Sequence, residues 1–459
     1  MTSSATHVVI CGAGIAGIAA AYQLAVIQGF KNVILVDERD PMSLTSDKST
    51  ECYRNWWPGP DNSMVQLMNR SIDLLEEMAR ESGNIFQLNR RGYLFLTADP
   101  DRAQDFQRLG EQASQYGAGH LRVHKGLQRG CEYIPASPHG FESDLDGADL
   151  LLDPDLVRSE FPYISDKTVA ALHVRRAGWL SAQQLGMYML ELARENGVQL
   201  LRGKVTGIRT QGGKVKSVKL QGAPVNEIYT DTFVSAAGPY TRQIGKMLGV
   251  EIPIFSELHL KVACNDPLGV VPRDAPLLIW EDPQQIRFSE AEQAFLAEDA
   301  ETRWLLKEFP RGIHTRPEGG GSSQAILILW TYDTQAIEPA WPPQVDRYYP
   351  EIVMRGLAVM LPRVRAYFGK FPRPIVDGGY YTKTIENRPL VGPLPVEGAY
   401  LIDAFSGFGI MAASACAELL SHHIAGNHLP SYAASFDLSR YENPDYVKLL
   451  DSWGETGQL

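Results

Sequence analysis

Val8-Val9-Ile10-Cys11-Gly12-Ala13-Gly14-Ile15-Ala16-Gly17, near the start of the chain, decides how the rest is read. It predicts a short apolar strand, a glycine turn and a helix from Ile18 to about Ile27. Gly12, Gly14 and Gly17 stand in the G-x-G-x-x-G spacing: a tight turn, a close backbone approach to a pyrophosphate, and close packing of helix on strand. Unpaired N–H groups at the helix start, with the helix dipole, suit phosphate charge. A second strand, Asn32-Val33-Ile34-Leu35-Val36, ends in Asp37 and is followed by Glu38. Asp37 lies 37 − 17 = 20 residues past the third glycine, the separation of a ribose-binding carboxylate. Strand, turn, helix, strand and acid in that order predict a dinucleotide site. An acid there favours a free ribose diol, hence FAD or NAD over NADP.

The chain has 459 residues, more than one core organises, so two domains are expected. Hydrophobic residues at 44% and charged residues at 21% give an ordinary globular balance. The net charge of −11 argues against nucleic acid or an anionic membrane surface as partner. Cys11, Cys52, Cys131, Cys264 and Cys416 show no paired spacing, so neither a disulfide framework nor a metal site is expected, and a reducing cytoplasm is the natural setting. The apolar run 8–27 lacks a preceding Lys or Arg and is broken by glycines, unlike a signal peptide. No stretch reads as a membrane span.

Along the chain, the polar segment Thr45 to Arg54 leads into Trp56 and Trp57. Helices are predicted over 64–81, 101–118, 182–196 (Ser181 as N-cap, Gly197 as stop) and 349–361, with a short one at 153–161. Strands are predicted over 93–97, 198–201, 205–208, 215–220, 231–238, 258–263, 277–280 and 325–332. Segment 120–150 reads as a loop insertion, and 281–324 as a charged loop. A βαβ start with antiparallel-looking strands later suggests an α/β protein in which a dinucleotide domain is interrupted by a substrate domain.

The C-terminal part carries Tyr380-Tyr381-Thr382-Lys383-Thr384-Ile385-Glu386-Asn387-Arg388-Pro389, then a strand at 399–404. That strand runs into Phe405-Ser406-Gly407-Phe408-Gly409 and a helix from Ile410 to about Ile424. This second strand–turn–helix lies too far from the first to share its phosphate. Its helix start suits another developing negative charge, such as the one at the N1/C2=O edge of a flavin on reduction.

These motifs together resemble the D-amino-acid oxidase superfamily of FAD proteins, with a glutathione-reductase-type Rossmann-like domain. Within it the chain is most similar to the sarcosine oxidase, N-methyltryptophan oxidase and glycine oxidase branch. The resemblance rests on Gly12 to Gly17 with Val36-Asp37, on Ala236-Ala237-Gly238, and on Tyr381-Thr382-Lys383-Thr384 with Phe405 to Gly409. It implies an FAD-binding domain over 1–90, 151–250 and 371–440, a mostly antiparallel-sheet substrate domain over 91–150 and 251–370, and a tail over 441–459. It implies oxidation of a C–N bond, with hydride passing to flavin N5 and the imine then hydrolysed, and O2 or another acceptor taking the electrons. By matching motifs, Gly12, Gly14, Ile15, Ala16, Gly17, Asp37 and Glu38 hold the ADP part. Ser46, Ser49 and Arg54 follow the pyrophosphate and ring, and Val205 meets the adenine. Ala237 and Gly238 lie close to the dinucleotide, while Gly407, Phe408, Gly409 and Ile410 cap the ring.

Several positions depart from the family pattern. Glu51 stands where a glycine is usual. Gly379 replaces the cysteine that tethers FAD in sarcosine oxidases, and no His occurs in 41–56, so noncovalent FAD is expected. Met411 replaces a lysine that clamps the substrate carboxylate, so either Arg54, Lys261, Arg388 or another cation takes that role or the substrate is not a simple amino acid. Lys261 matches a lysine that assists O2 reduction, and Tyr381 a pocket tyrosine. Trp56 and Trp57 could wall the substrate site, and His259 reads as packing. Two other readings stand beside amine oxidation: a 2-hydroxy-acid dehydrogenase of the same superfamily, and a flavoprotein without turnover that acts in assembly.

Overall fold

The computed structural model describes residues 7–57, 59–126, 132–370, 372–451 and 453. Cys131 lies outside the described residues. The first strand, His7–Cys11, is flanked in parallel by Val33–Asp37 and by Glu227–Ser235. Enclosed on both sides, it can be apolar without alternation, and Val9 and Ile10 are fully buried. The sheet continues from Val33–Asp37 to Gln199–Arg202. On the other side Glu227–Ser235 divides its partners. Its first half pairs with the antiparallel ribbon Lys204–Gln211 and Lys214–Gln221, and its second half pairs in parallel with Ala399–Asp403. Leu390–Pro393 completes the eight strands. The architecture is α/β and Rossmann-like.

The first helix spans Ile15–Tyr22, so it begins three residues earlier than the expected Ile18, and a π-turn over Gln23–Ile27 continues it. Gly17 is therefore a helix residue rather than part of the turn. A Cβ on it would lie 1.8 Å from the Gly12 carbonyl oxygen, which is why the helix can start so close to the strand. The late helix spans Gly409–Ala425 and packs on both Ile15–Tyr22 and Ser63–Ser82.

A nine-stranded sheet lies beside the first. Its order is Ile375–Lys383, Phe255–Asn265, Ala325–Leu329, Ile313–Pro317, Leu277–Trp280, Tyr93–Thr97, Ala170–Val174, Ala148–Leu151 and Leu121–His124. It is antiparallel except at Leu277–Trp280 with Tyr93–Thr97 and at Leu121–His124 with Ala148–Leu151. Helix Tyr349–Met360 covers one face through Val353, Leu357 and Met360.

This sheet corrects three expectations. Segment 120–150 is not simply a loop, because both of its ends are strands at the sheet edge. Segment 281–324 contains helix Glu290–Glu298 and the interior strand Ile313–Pro317. Strands Ala170–Val174 and Ile375–Lys383 fall within limits drawn for the dinucleotide domain but pair in the nine-stranded sheet. Tyr381 thereby belongs to the wall formed by that sheet.

Candidate functional site: a cavity between two glycine turns

A cavity of about 400 Å³ opens at the carboxyl ends of the parallel strands. Such crevices form where neighbouring strands lead off in different directions. The turn Gly12 to Ala16 forms one wall and the turn Phe405 to Ile410 another, so both helix starts face the same space. Gly12 has φ +112°, and a Cβ there would lie 2.2 Å from the Ala236 carbonyl oxygen. No residue with a side chain fits. Asp37 ends its strand at the cavity and accepts N–H bonds from Ala13 (2.7 Å) and Arg39 (2.8 Å). Burial raises its carboxyl above the usual range despite those two donors. Ser46 reaches the first helix start, where its Oγ accepts the Ile15 N–H at 2.9 Å.

At the other end, Tyr381 lies on the cavity wall with its ring stacked on His259, centroids 3.9 Å apart and planes 20° apart. The His259 ring is fixed on both nitrogens, by Glu257 Oε2 at 3.0 Å and Thr331 Oγ1 at 2.8 Å. Lys383 in turn pairs with Glu257 at 3.0 Å. Burial lowers the His259 pKa and raises that of the Tyr381 phenol. Gly407 makes room for this tyrosine, since a Cβ there would lie 2.5 Å from the ring.

Of the residues expected to hold a cofactor, Gly12, Gly14, Ile15, Ala16, Asp37, Glu38, Ser46, Ser49, Val205, Ala237, Gly238, Gly407, Gly409 and Ile410 line the cavity. Gly17, Arg54 and Phe408 stand behind its wall. Phe408 meets Trp57 edge-on at 5.0 Å, and Trp57 carries the Arg54 guanidinium 4.4 Å above its ring. Tyr93 flanks the same guanidinium at 5.5 Å, and Arg54 Nε donates to the Trp56 carbonyl at 3.1 Å. This run joins a buried cation to the late glycine turn.

The remaining candidates sit elsewhere. Met411, on helix Gly409–Ala425, is 2% exposed, and Trp56 is buried in the same hydrophobic core. Arg388 is paired with Asp61 at 2.6 Å and lies 4.5 Å over the Trp453 ring. Lys261 Nζ donates to the Asp47 and Ser49 carbonyls at 2.6 and 3.0 Å. Glu51 has φ +57°, which explains the usual glycine, and its carboxylate accepts the Ala182 N–H at 3.1 Å, at the start of helix Ala182–Glu195. It is therefore a helix cap. Among the described residues Cys11, Cys52, Cys264 and Cys416 are free thiols and no metal-binding cluster occurs.

Sequence reading missed Asp403. It ends Ala399–Asp403 at the cavity, as Asp37 ends the second strand. Its carboxylate accepts from the Thr241 hydroxyl, the Ala404 N–H at 2.7 Å and the Gly238 N–H, tying the 236–238 turn to the late turn. Burial pushes its pKa up to about 7. An acid closing a strand just before a glycine turn was the available signal.

The family described as FAD dependent oxidoreductase matches residues 7–423. The chain belongs to that family. Human dimethylglycine dehydrogenase is 21% identical to this chain over 437 residues, covering 94% of the chain and 44% of the relative. Mouse sarcosine dehydrogenase is 23% identical over 459 residues, covering 96% and 42%. The chain thus spans less than half the length of these mitochondrial relatives. Among solved structures, L-proline dehydrogenase from P. horikoshii matches with a TM-score of 0.72 at 21% identity, covering 95% of this chain and 98% of that one. Glycine oxidase from Geobacillus kaustophilus matches with 0.70 at 15% identity over the same shares. The cavity fits FAD on its own terms. Two helix starts face one space, and Gly12, Gly14, Gly407 and Gly409 line it without carrying side chains into it. The Thr382 hydroxyl on the wall is buried without a partner.

Proposed function

We propose that the protein oxidises a C–N bond of a small amine or amino acid. FAD, when bound, supplies the acceptor for the hydride leaving the substrate carbon. The observation that carries the reading is the Tyr381 side of the cavity. There a phenol held by ring stacking and a buried guanidinium, Arg54, flank the late glycine turn. The names of the relatives, dimethylglycine and sarcosine dehydrogenases, glycine oxidase and iminodiacetate oxidase, support amines that carry a carboxylate.

On this reading Gly12, Gly14, Asp37, Ser46 and Ser49 hold the ADP and pyrophosphate end, and Gly407 to Ile410 hold the ring. Arg54 takes the substrate carboxylate. Of the cations considered, Arg388 is engaged by Asp61 and Lys261 by two carbonyls. Arg54 also donates Nε to the Trp56 carbonyl, but it lies over Trp57, which meets Phe408 of the late glycine turn, so its guanidinium is the cation beside that turn that a carboxylate would pair with. Tyr381 orients the substrate through its hydroxyl. With its pKa raised, the phenol stays protonated and acts as a hydrogen-bond donor. The neutral amine needs no strong base, consistent with His259 serving as a platform.

FAD is held without a covalent link on this account. A Cβ at Gly379 would lie 3.0 Å from Lys48 Cβ and 3.1 Å from Thr45 Cα, so the loop leaves little room for a tethering side chain. We place the two domains at the two sheets, with the nine-stranded sheet as substrate roof. Among the described residues no helix is long and apolar enough to cross a membrane, and the free thiols support a reducing compartment such as the cytoplasm. O2 or a second acceptor reoxidises the cofactor. Steady-state turnover of N-methylglycine, N,N-dimethylglycine, glycine and proline with a dye acceptor tests the reading. Release of an amine or carbonyl product from at least one of these or a close analogue is expected, and turnover confined to 2-hydroxy acids would contradict it.

A further inference from the structure

The loop from Thr45 to Arg54 has two faces. Toward the cavity it presents Thr45, Ser46 and Ser49, and Ser46 also binds the first helix start. Its other face carries backbone carbonyls into the nine-stranded sheet, where each needs a donor. The sheet supplies cations. Lys261, on Phe255–Asn265, takes the carbonyls of Asp47 and Ser49. Arg316, on Ile313–Pro317, is wholly buried and donates Nε to the Thr50 carbonyl at 2.6 Å. The neighbouring His314 donates Nδ1–H to the Gly312 carbonyl at 2.9 Å, leaving Nε2 to face the Thr50 hydroxyl at 3.4 Å.

Arg316 is an expensive residue to bury. Its guanidinium rests on the Trp179 ring at 5.2 Å, pairs with Glu318, and leaves Nη2 without a partner. A methionine in its place would avoid the desolvation cost. Its one long-range backbone bond goes to Thr50, next to Ser49 on the cavity wall.

We propose that Arg316 is a positioning residue for the cofactor. With Lys261 it fixes the backbone of 47–50 so that Ser46 and Ser49 face the cavity, and in this way the substrate-side sheet sets how tightly FAD is held. The inference rests on FAD as the cofactor. It does not depend on which substrate is oxidised.

The test compares FAD affinity with the stability of the FAD-free protein. FAD affinity is read by quenching of flavin fluorescence, in the parent, Arg316→Met and Arg316→Lys. Tight FAD binding by the parent is established first, which separates failure of the cofactor reading from failure of this one. Arg316→Met is expected to weaken FAD binding at least tenfold while the urea midpoint of the FAD-free protein stays near the parent's. Arg316→Lys, keeping one charged donor for the Thr50 carbonyl, is expected to recover most of the affinity. Should Arg316→Met not fold, Lys261→Met, which loses the bonds to 47 and 49, is expected to show the same split. Affinity within twofold of the parent would overturn the proposal. So would a loss of affinity that follows a loss of stability equally in the Met and Lys variants.

Discussion

At the scale of single residues, the side chains that decide function have neighbours that are already fixed. Tyr381→Phe keeps the stack on His259 and removes only the hydroxyl. A lost hydrogen bond to a charged ligand costs about 1.5–3 kcal/mol, so kcat/KM is expected to fall about 10- to 100-fold with FAD retained. Steady-state kinetics beside a flavin spectrum checks this, and an unchanged kcat/KM would remove the phenol from the site. Asp403 gives a pH prediction. Its folded pKa of about 7 lies above its ordinary 3.8, so between those values the native FAD-free protein holds a proton that the unfolded chain has released. The stability this proton contributes is fully present below pH 3.8 and is lost as pH rises through about 7. Asp403→Asn still offers an oxygen to Thr241 and is expected to flatten the melting temperature of the FAD-free protein across that window. The full effect is at most roughly 4 kcal/mol. A pH profile identical to the parent's would contradict the raised pKa. Gly12, Gly14 and Asp37 were legible at this scale because their spacing is the signal. The roles of Lys261 and Arg316 were not, because their partners are backbone carbonyls more than 200 residues away in the chain.

At the scale of elements, apolar periodicity revealed the central strands and the long helices, and buried charge concealed others. Ile313–Pro317 is buried throughout yet contains His314 and Arg316. Ala148–Leu151 hides Asp149, which pairs with Arg122 and Arg175 and is hydrogen-bonded to His124. Strands of this kind do not alternate apolar and polar residues, so sequence reads them as loop. The C-terminal elements hold a similar ion pair. Glu386 is buried and accepts from Arg440 at 2.6 and 2.9 Å and from the hydroxyls of Tyr441 and Tyr446. This fastens 438–450 onto the loop that follows Tyr381. Arg440→Met leaves the carboxylate buried without its cation and is expected to cost about 3–5 kcal/mol, measured by urea unfolding. A change below about 1 kcal/mol would mean that the hydroxyls of Tyr441 and Tyr446 hold the carboxylate without the cation. At the first turn, Gly12→Ala forces a methyl onto the Ala236 carbonyl and is expected to abolish FAD binding. Retained affinity in that variant would place the cofactor elsewhere.

At the scale of the molecule, two sheets meet at one cavity. The eight-stranded sheet brings two helix starts to it, and the nine-stranded sheet supplies Tyr381 and the cations behind the 45–54 loop. The family and the cofactor follow from the first sheet. The proposed chemistry draws on the second, which carries Tyr381 and has Gly379 in place of a tethering cysteine, while Met411, in place of a clamping lysine, lies on helix Gly409–Ala425 in the core of the first. The most direct measurement is anaerobic mixing of the yellow protein with a panel of N-methyl amino acids, D- and L-amino acids, simple amines and 2-hydroxy acids, following the visible flavin absorbance. Bleaching by at least one amine or amino acid, with none by the hydroxy acids, is the predicted result. Bleaching by hydroxy acids alone, or by no member of any class, would contradict C–N oxidation.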